Sequence, residues 1–310
     1  MSSIFHYTNA VGLSGILSSQ TLFASDYRFL NDTSEVGIIR DLILPVLEAE
    51  IAEITPKLVE KKLLKGFYEF HGISGHRLQA EGFFRTLLRL VNEVSPLFVL
   101  SFCRHDDGSK EFSHGLLSQW RGYGESGRFA IEFDESGIDK LLEAEMQAFV
   151  YAGYKADDVV YEGYELFEKE DFKGLAGEMI RRMFEPRDIS AVTGRKNIDA
   201  LVPQFMSVAP FMKHYGFREE REYRIIFSCI PSDKIPAPEV RPAKEIKFRT
   251  KHGQIVPYIE LFDHRAGLPI KSIIVGPHPS QELQYEAVKL MLRTKGINGT
   301  IRLSDIPYRR

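Results

Sequence analysis

Hydrophobic positions alternate with polar ones in short runs near both ends of the chain, and recur at helical spacing in long stretches between them. Ser3–Thr8 alternates weakly and is rich in β-forming residues, which predicts a strand, after which Asn9 caps a short helix carrying Val11, Leu13, Ile16 and Leu17. Leu22–Ser25 predicts a second short strand. From Val36 to about Val94 the apolar residues return every three or four positions, first as Ile38, Ile39, Leu42, Ile43, Val46 and Leu47, later as Phe83, Phe84, Leu87, Leu88 and Val91. This predicts helices, which Pro45 and Pro56 bend or divide. Leu97–Phe102 predicts a buried strand and Gly127–Asp134 an alternating one, with Asp134 turning the chain into a further helix. From about 136 to 215 the pattern is helical or irregular, interrupted at most by a short strand over Asp158–Tyr161. Strands follow over Phe217–Phe227, Glu245–Phe248, Ile255–Leu261 and Ser272–Pro277. Ser280 then caps a helix that Gly296 ends near Lys295, and Thr300–Leu303 is a last strand. The pattern describes an α+β protein: one domain over 1–310, a mixed β-sheet core with mainly helical insertions at about 36–94 and 136–215.

Composition narrows the function classes. With 310 residues, 44% of them hydrophobic, the chain can bury a sizeable core. A net charge of -3 argues against a broadly electropositive surface, so any nucleic-acid contact would rest on a local cluster such as Arg181, Arg182, Arg187, Arg195 and Lys196. Two cysteines, Cys103 and Cys229, are too few for a disulfide framework and fit a reducing compartment. No run is as long as a membrane span, and no basic stretch followed by an apolar one opens the chain; the expectation is a cytoplasmic protein with no membrane partner.

Three places carry candidate chemistry. In Glu220-Arg221-Glu222-Tyr223-Arg224, strand alternation puts Glu220, Glu222 and Arg224 on one face and Arg221 and Tyr223 on the other. Two carboxylates so placed repel unless cations, hydrogen bonds or a ligand lie between them; the alternative is an edge strand with solvated charges. His6-Tyr7-Thr8 ends the first strand, where a polar group is held rigidly at the edge of a cleft. The segment Gln119-Trp120-Arg121-Gly122-Tyr123-Gly124 gathers the one Trp, an Arg and two glycines, a set that suits a planar ring and a phosphate. Asp32 with Glu35 reads as a capping box. His71 with His76, and His105, Asp106, Asp107 and His114, read as connector and exposed loop, so no metal centre is expected.

These motifs, with Leu30-Asn31-Asp32, Ser101-Phe102, Phe133-Asp134, Phe217 and Ile274-Val275-Gly276-Pro277, resemble the bacterial family known as DUF2971, over nearly the whole chain. The order of motifs is in turn similar to the ADP-ribosyltransferase superfamily, whose NAD site draws a His from the first strand, an aromatic or hydroxyl residue from a second and a Glu from a later one. That resemblance implies an ADP-ribosyltransferase-like fold and NAD as the cofactor, consumed as a substrate. It gives His6 the ribose, Tyr123 or else Tyr7 the nicotinamide ring, and Glu222 the catalytic role with Glu220 as its neighbour; on chemical grounds Glu220 suits the activation of the acceptor as a general base. Thr8, Trp120, Arg121 and Arg28 join the cofactor-binding set, with Arg121 or Arg28 on the pyrophosphate.

The chemistry is coherent with that assignment. Cleavage of an N-glycosidic bond passes through an oxocarbenium-like state, which a fixed carboxylate stabilises. The implied activity is an NAD-dependent ADP-ribosyltransferase, a toxin or phage-defence effector acting on nucleic acid (RNA or single-stranded DNA) or on a host protein, with an antitoxin as a further partner. The competing expectations are a non-catalytic nucleotide-sensing or protein-interaction module, in which Glu220 and Glu222 are salt-bridged to neighbouring arginines, and an NAD glycohydrolase, in which water is the acceptor.

Overall fold

The computed structural model describes residues 2–307 except 31–33, 61–64, 73, 95, 123–127, 162–208, 231–240, 252 and 264–266. They form two compact units, one built from Met1–Asp26, Phe98–Val159 and Phe217–Arg310, the other from Tyr27–Leu97 and Val160–Gly216. In chain order the described strands are β1 (Ser3–Thr8), β2 (Leu22–Asp26), β3 (Leu97–Arg104), β4 (Phe129–Asp134), β5 (Gly153–Asp158), β6 (Val160–Tyr161), β7 (Met212–Lys213), β8 (Glu222–Ser228), β9 (Lys247–Lys251), β10 (Gln254–Leu261), β11 (Ile270–Val275) and β12 (Thr300–Leu303). The described helices are α1 (Ala10–Ser19), α2 (Ser34–Glu60), α3 (Lys65–His71), α4 (Ser74–Val94), α5 (Lys110–His114), α6 (Leu117–Gly122), α7 (Glu135–Ala148) and α8 (Gln281–Lys295).

The first unit is organised by one sheet in the order β12-β11-β4-β1-β3-β2-β10-β9, with β8 beside β3 and β5 beside β8. β11 and β12 pair in parallel, whereas β1–β4, β4–β11, β2–β10, β9–β10 and β5–β8 are antiparallel. The molecule is thus α+β with a large mixed sheet. One face carries Ile4, Phe102, Ile131, Phe133, Ile225 and Ile273, packed with Leu13 and Leu17 of α1, Ile138 and Leu142 of α7, and Val288 and Leu292 of α8. Each such side chain contributes about 1.5–3 kcal/mol on burial. The other face carries a smaller cluster in which Phe5, Tyr7, Cys103, Ala130 and Ile274 pack with Leu116 and Trp120.

Local signals set the element ends. Asn9 stops β1 and starts α1, its side chain accepting from Gly12 N at 2.9 Å. Asp134 does the same between β4 and α7, accepting from Gly137 N at 3.0 Å. Gly296, at φ 65°, closes α8, and Ile297 N reaches back to Leu292 O at 2.9 Å.

Four expectations need correction. α7 lies in the first unit, because its apolar stripe packs on the sheet; the second unit takes up the chain again only at Val160. β5 has no apolar alternation to announce it, since Gly153–Asp158 is an exposed or half-exposed strand held by its ladder to β8. Pro45 and Pro56 do not divide α2, which runs through both. Each proline is exposed, so the carbonyl it leaves unbonded one turn earlier can turn to water. Finally, β8 begins at Glu222 and not at Phe217; Tyr215–Glu220 is a 3-10 turn. Within the second unit α2 packs with α4, and β6 pairs in parallel with β7.

Candidate functional site

β3 is the strand on which the site turns, because it has three strand neighbours and only two edges. Successive residues of a strand bond to alternate edges. Cys103 pairs with Phe5 of β1, whereas Arg104 N donates to Arg221 O at the head of β8, 2.9 Å away. β1 and β8 therefore flank β3. The Phe102 and Tyr223 rings lie 6.4 Å apart, so β8 continues back along β3, and β2 must share the edge used by β1. β1 holds it only at Cys103 and Arg104, β2 only at Phe98 and Val99. Among the described residues neither strand pairs with Leu100, Ser101 or Phe102, so the ladder is open between those contacts.

His6 occupies that opening. Its Nδ1 lies 3.0 Å from Ser101 O. A carbonyl can only accept, so Nδ1 carries the proton and Nε2 is the acceptor nitrogen of the neutral ring. Burial lowers the His6 pKa; the Ser101 carbonyl opposes this, and the nearby positive charge of Arg249 adds to it. The imidazole is accordingly held neutral, in one tautomer, with its edge against the Phe102 ring at 5.9 Å.

Glu222, the first residue of β8, is held by Arg224 two residues on. Arg224 donates from Nε to Oε1 at 2.8 Å and from Nη2 to Oε2 at 2.9 Å, with both side chains buried. A bidentate clamp fixes the carboxylate's direction and uses two of its roughly four lone-pair sites. The expected common face holds for Glu222 and Arg224 but not for Glu220, which ends the 3-10 turn before the strand. Arg221 explains the offset: it sits at φ 42°, a left-handed backbone that breaks the alternation between Glu220 and Glu222.

β1, β3 and β8 are consecutive strands, so the backbones bearing His6 and Glu222 are about 10 Å apart. Their side chains leave from opposite faces. Tyr223 and Ile225 join the core on the face of Ile4 and Ile131, which is also the face His6 starts from, while Glu222 and Arg224 point the other way. His6 then reaches sideways into the opening.

The remaining predicted residues separate. Tyr7 and Trp120 are not placed to stack on a ligand: they are 3% and 1% exposed, with rings 4.9 Å apart in the smaller core. Leu116 N donates to Tyr7 Oη at 2.8 Å, and the same hydroxyl is hydrogen-bonded with His105 Nε2, also at 2.8 Å. Trp120 donates its indole N–H to His114 O. Thr8 is buried at the end of β1, its Oγ1 lying where a Cβ on Gly12 would fall. Arg121 is exposed at the end of α6. Arg28 belongs to the second unit, in the 3-10 turn Tyr27–Phe29. Tyr123 and Asp32 lie outside the described residues.

Three further groups contribute outside these motifs. Ser101 O, a backbone group, fixes the His6 tautomer and has no sequence signature. Arg249 and Lys251 do have one: Lys247-Phe248-Arg249-Thr250-Lys251 repeats a cation at every second position of a strand, hence on one face.

A family model described as a protein of unknown function, DUF2971, matches residues 119–225, from α6 to the middle of β8. No curated protein and no solved structure matches the chain.

Proposed function

We propose that this protein is an NAD-dependent ADP-ribosyltransferase of the toxin or phage-defence type, modifying nucleic acid or a protein. The observation that carries the reading is the placement of His6 and Glu222 on strands either side of β3, His6 at the opening and Glu222 beside the pairing at Cys103 and Arg104 that borders it. In this reading His6 Nε2 accepts a ribose hydroxyl proton, which requires the neutral tautomer that Ser101 O selects. The Glu222 carboxylate, aimed by Arg224, stabilises positive charge as the bond to nicotinamide breaks. Glu220, on the turn before the strand, activates the acceptor.

One observation favours a second reading, a nucleotide-binding module without catalysis: both oxygens of Glu222 are engaged by Arg224, as in a buried structural ion pair. Incubation with labelled NAD and total RNA, DNA and protein separates the two. Transfer of label to one acceptor class, with nicotinamide released, supports the transferase. Release without transfer means a glycohydrolase, and NAD binding without release means the module. A Glu222→Gln protein that keeps its circular dichroism and still releases nicotinamide at the wild-type rate refutes the catalytic assignment.

A further inference from the structure

β2, β9 and β10 form a wall of the first unit on the far side of the opening from β1. Tyr258 pairs with Ser25 and Glu260 with Phe23, while the intervening Ile259 and Ala24 belong to the core. Phe23, Ser25 and Tyr258 therefore share the opposite face, and Arg249, paired with Val256 two residues before Tyr258, shares it too. The Phe23 and Tyr258 rings lie 4.4 Å apart at 34°. The Arg249 guanidinium stands 5.4 Å from the first ring centroid and 5.6 Å from the second, and Nη2 donates to Ser25 Oγ at 2.8 Å.

We propose that Arg249, set on the Phe23–Tyr258 ring pair with the Ser25 hydroxyl beside it, is the subsite for the diphosphate of a nucleotide whose other end reaches His6. The assignment rests on NAD as the substrate and adds the group that reads its charge. A planar guanidinium matches phosphate oxygens bidentately, and the two rings beneath fix its plane, so little freedom is lost on binding. The surroundings want an anion. Lys251 lies one turn of alternation from Arg249, and its pKa is lowered by burial and by the Arg249 charge, the same charge that lowers His6. Arg249 and Lys251, two cations on one face of one strand, thus repel each other, and a diphosphate relieves that repulsion. The neighbouring carboxylate does not compete, since Glu260 is taken up by Lys247 at 2.5 Å and by the Thr21 hydroxyl at 2.9 Å.

The test is calorimetric binding of ADP, pyrophosphate and adenosine to the full chain and to Arg249→Gln and Arg249→Lys variants, with thermal unfolding of each as a check on folding. ADP and pyrophosphate should bind the wild type, and Arg249→Gln should weaken both by about 10- to 100-fold, the usual scale for a charge-assisted bond to phosphate. Arg249→Lys should retain part of the affinity, and adenosine should be insensitive to either change. Unchanged ADP affinity in Arg249→Gln overturns the subsite, as does an equal loss for adenosine, or Arg249-dependent binding of a single-stranded oligonucleotide in the absence of ADP binding. The outcomes keep the two proposals apart. Arg249-dependent ADP binding without NAD cleavage retains the subsite and removes the transferase, whereas cleavage with an Arg249-independent ADP affinity does the reverse.

Discussion

Loss of the Glu222 carboxylate should cost stability as well as any activity, and the size of that cost tests how Arg224 holds it. The side chains are 7% and 2% exposed, and two N–H···O bonds of 2.8 and 2.9 Å join them. An exposed pair of this kind contributes less than about 1 kcal/mol, whereas removing one partner of a buried pair leaves an uncompensated charge and costs about 3–5 kcal/mol. Glu222→Gln keeps one carbonyl oxygen for Arg224 and should fall near the lower figure, at roughly 3 kcal/mol. Arg224→Met should cost about as much, because it removes the carboxylate's bidentate donor instead. The double variant removes both charges, so its cost should lie well below the sum, with a coupling of at least about 2 kcal/mol. Equilibrium unfolding in urea is the suitable assay, since guanidinium would screen the charges. Single variants each costing under about 1 kcal/mol, or a strictly additive double variant, would refute the claim that this pair anchors the head of β8. The outcome also governs how an inactive Glu222→Gln protein is interpreted, because a loss of this size shifts the folded population by itself.

Three further outcomes follow from the same structure. Gly115, at φ 76° and ψ 175°, is in a region that only glycine occupies readily, and an added Cβ would fall 2.2 Å from the Trp120 ring; Gly115→Ala should lower stability by at least about 2 kcal/mol, measured by thermal or urea unfolding, and a neutral effect would contradict the packing of Trp120. Burial drives His105 from 6.5 down to about 4, so below pH 6.5 the unfolded chain takes up a proton that the folded one refuses; its contribution is complete above about pH 7 and falls by up to roughly 3 kcal/mol as the pH drops to 4, a slope that should be absent in His105→Gln when unfolding is followed against pH. The Cys229 thiol is pushed up to about 12 by burial, partly offset by Lys244, so iodoacetamide at pH 8 should label it only after denaturant is added; labelling of the native protein, read by mass spectrometry, would contradict its burial.

Much of the fold is written locally. Asn9 and Asp134 cap because a short side-chain oxygen is all the first turn needs, and Thr300–Leu303 is a strand as its alternation predicts. β5 and the start of β8 are not legible this way, for different reasons. β5 is a strand because β8 offers it an edge, a tertiary cause absent from its own sequence. β8 starts late because Arg221 adopts a left-handed backbone, which an Arg takes only when other groups hold it there. The site shows the same division. His6 and Glu222 are legible as polar residues at strand ends, and the structure leaves the first half-buried and the second buried. Tyr7 and Trp120 carry the same motif chemistry yet serve a small core, because an aromatic ring with one polar atom satisfies a buried position as well as a ligand. Sequence alone does not distinguish these uses; only the partner of the polar atom does.

Arg221 is where the fold and the site become one question. Its backbone is fixed from several directions: its carbonyl accepts from Arg104 N, its N–H donates to Arg218 O at 3.3 Å, and its guanidinium meets Asp106 at 2.7 Å. An ordinary extended residue there would continue the alternation back to Glu220 and line both carboxylates along one face, where they would repel. The left-handed residue instead ends the strand face at Glu222, so a single carboxylate enters the buried region, and it meets Arg224 on its own strand. A backbone of this kind costs on the order of 1 kcal/mol or more for a residue with a Cβ, less than the cost of burying a second unpaired carboxylate. The same step separates the two carboxylates by environment: Glu222 is buried and clamped, whereas Glu220 stays on a turn whose other residues are exposed. In the proposed transferase that division would give one carboxylate to the ribose and the other to the incoming nucleophile.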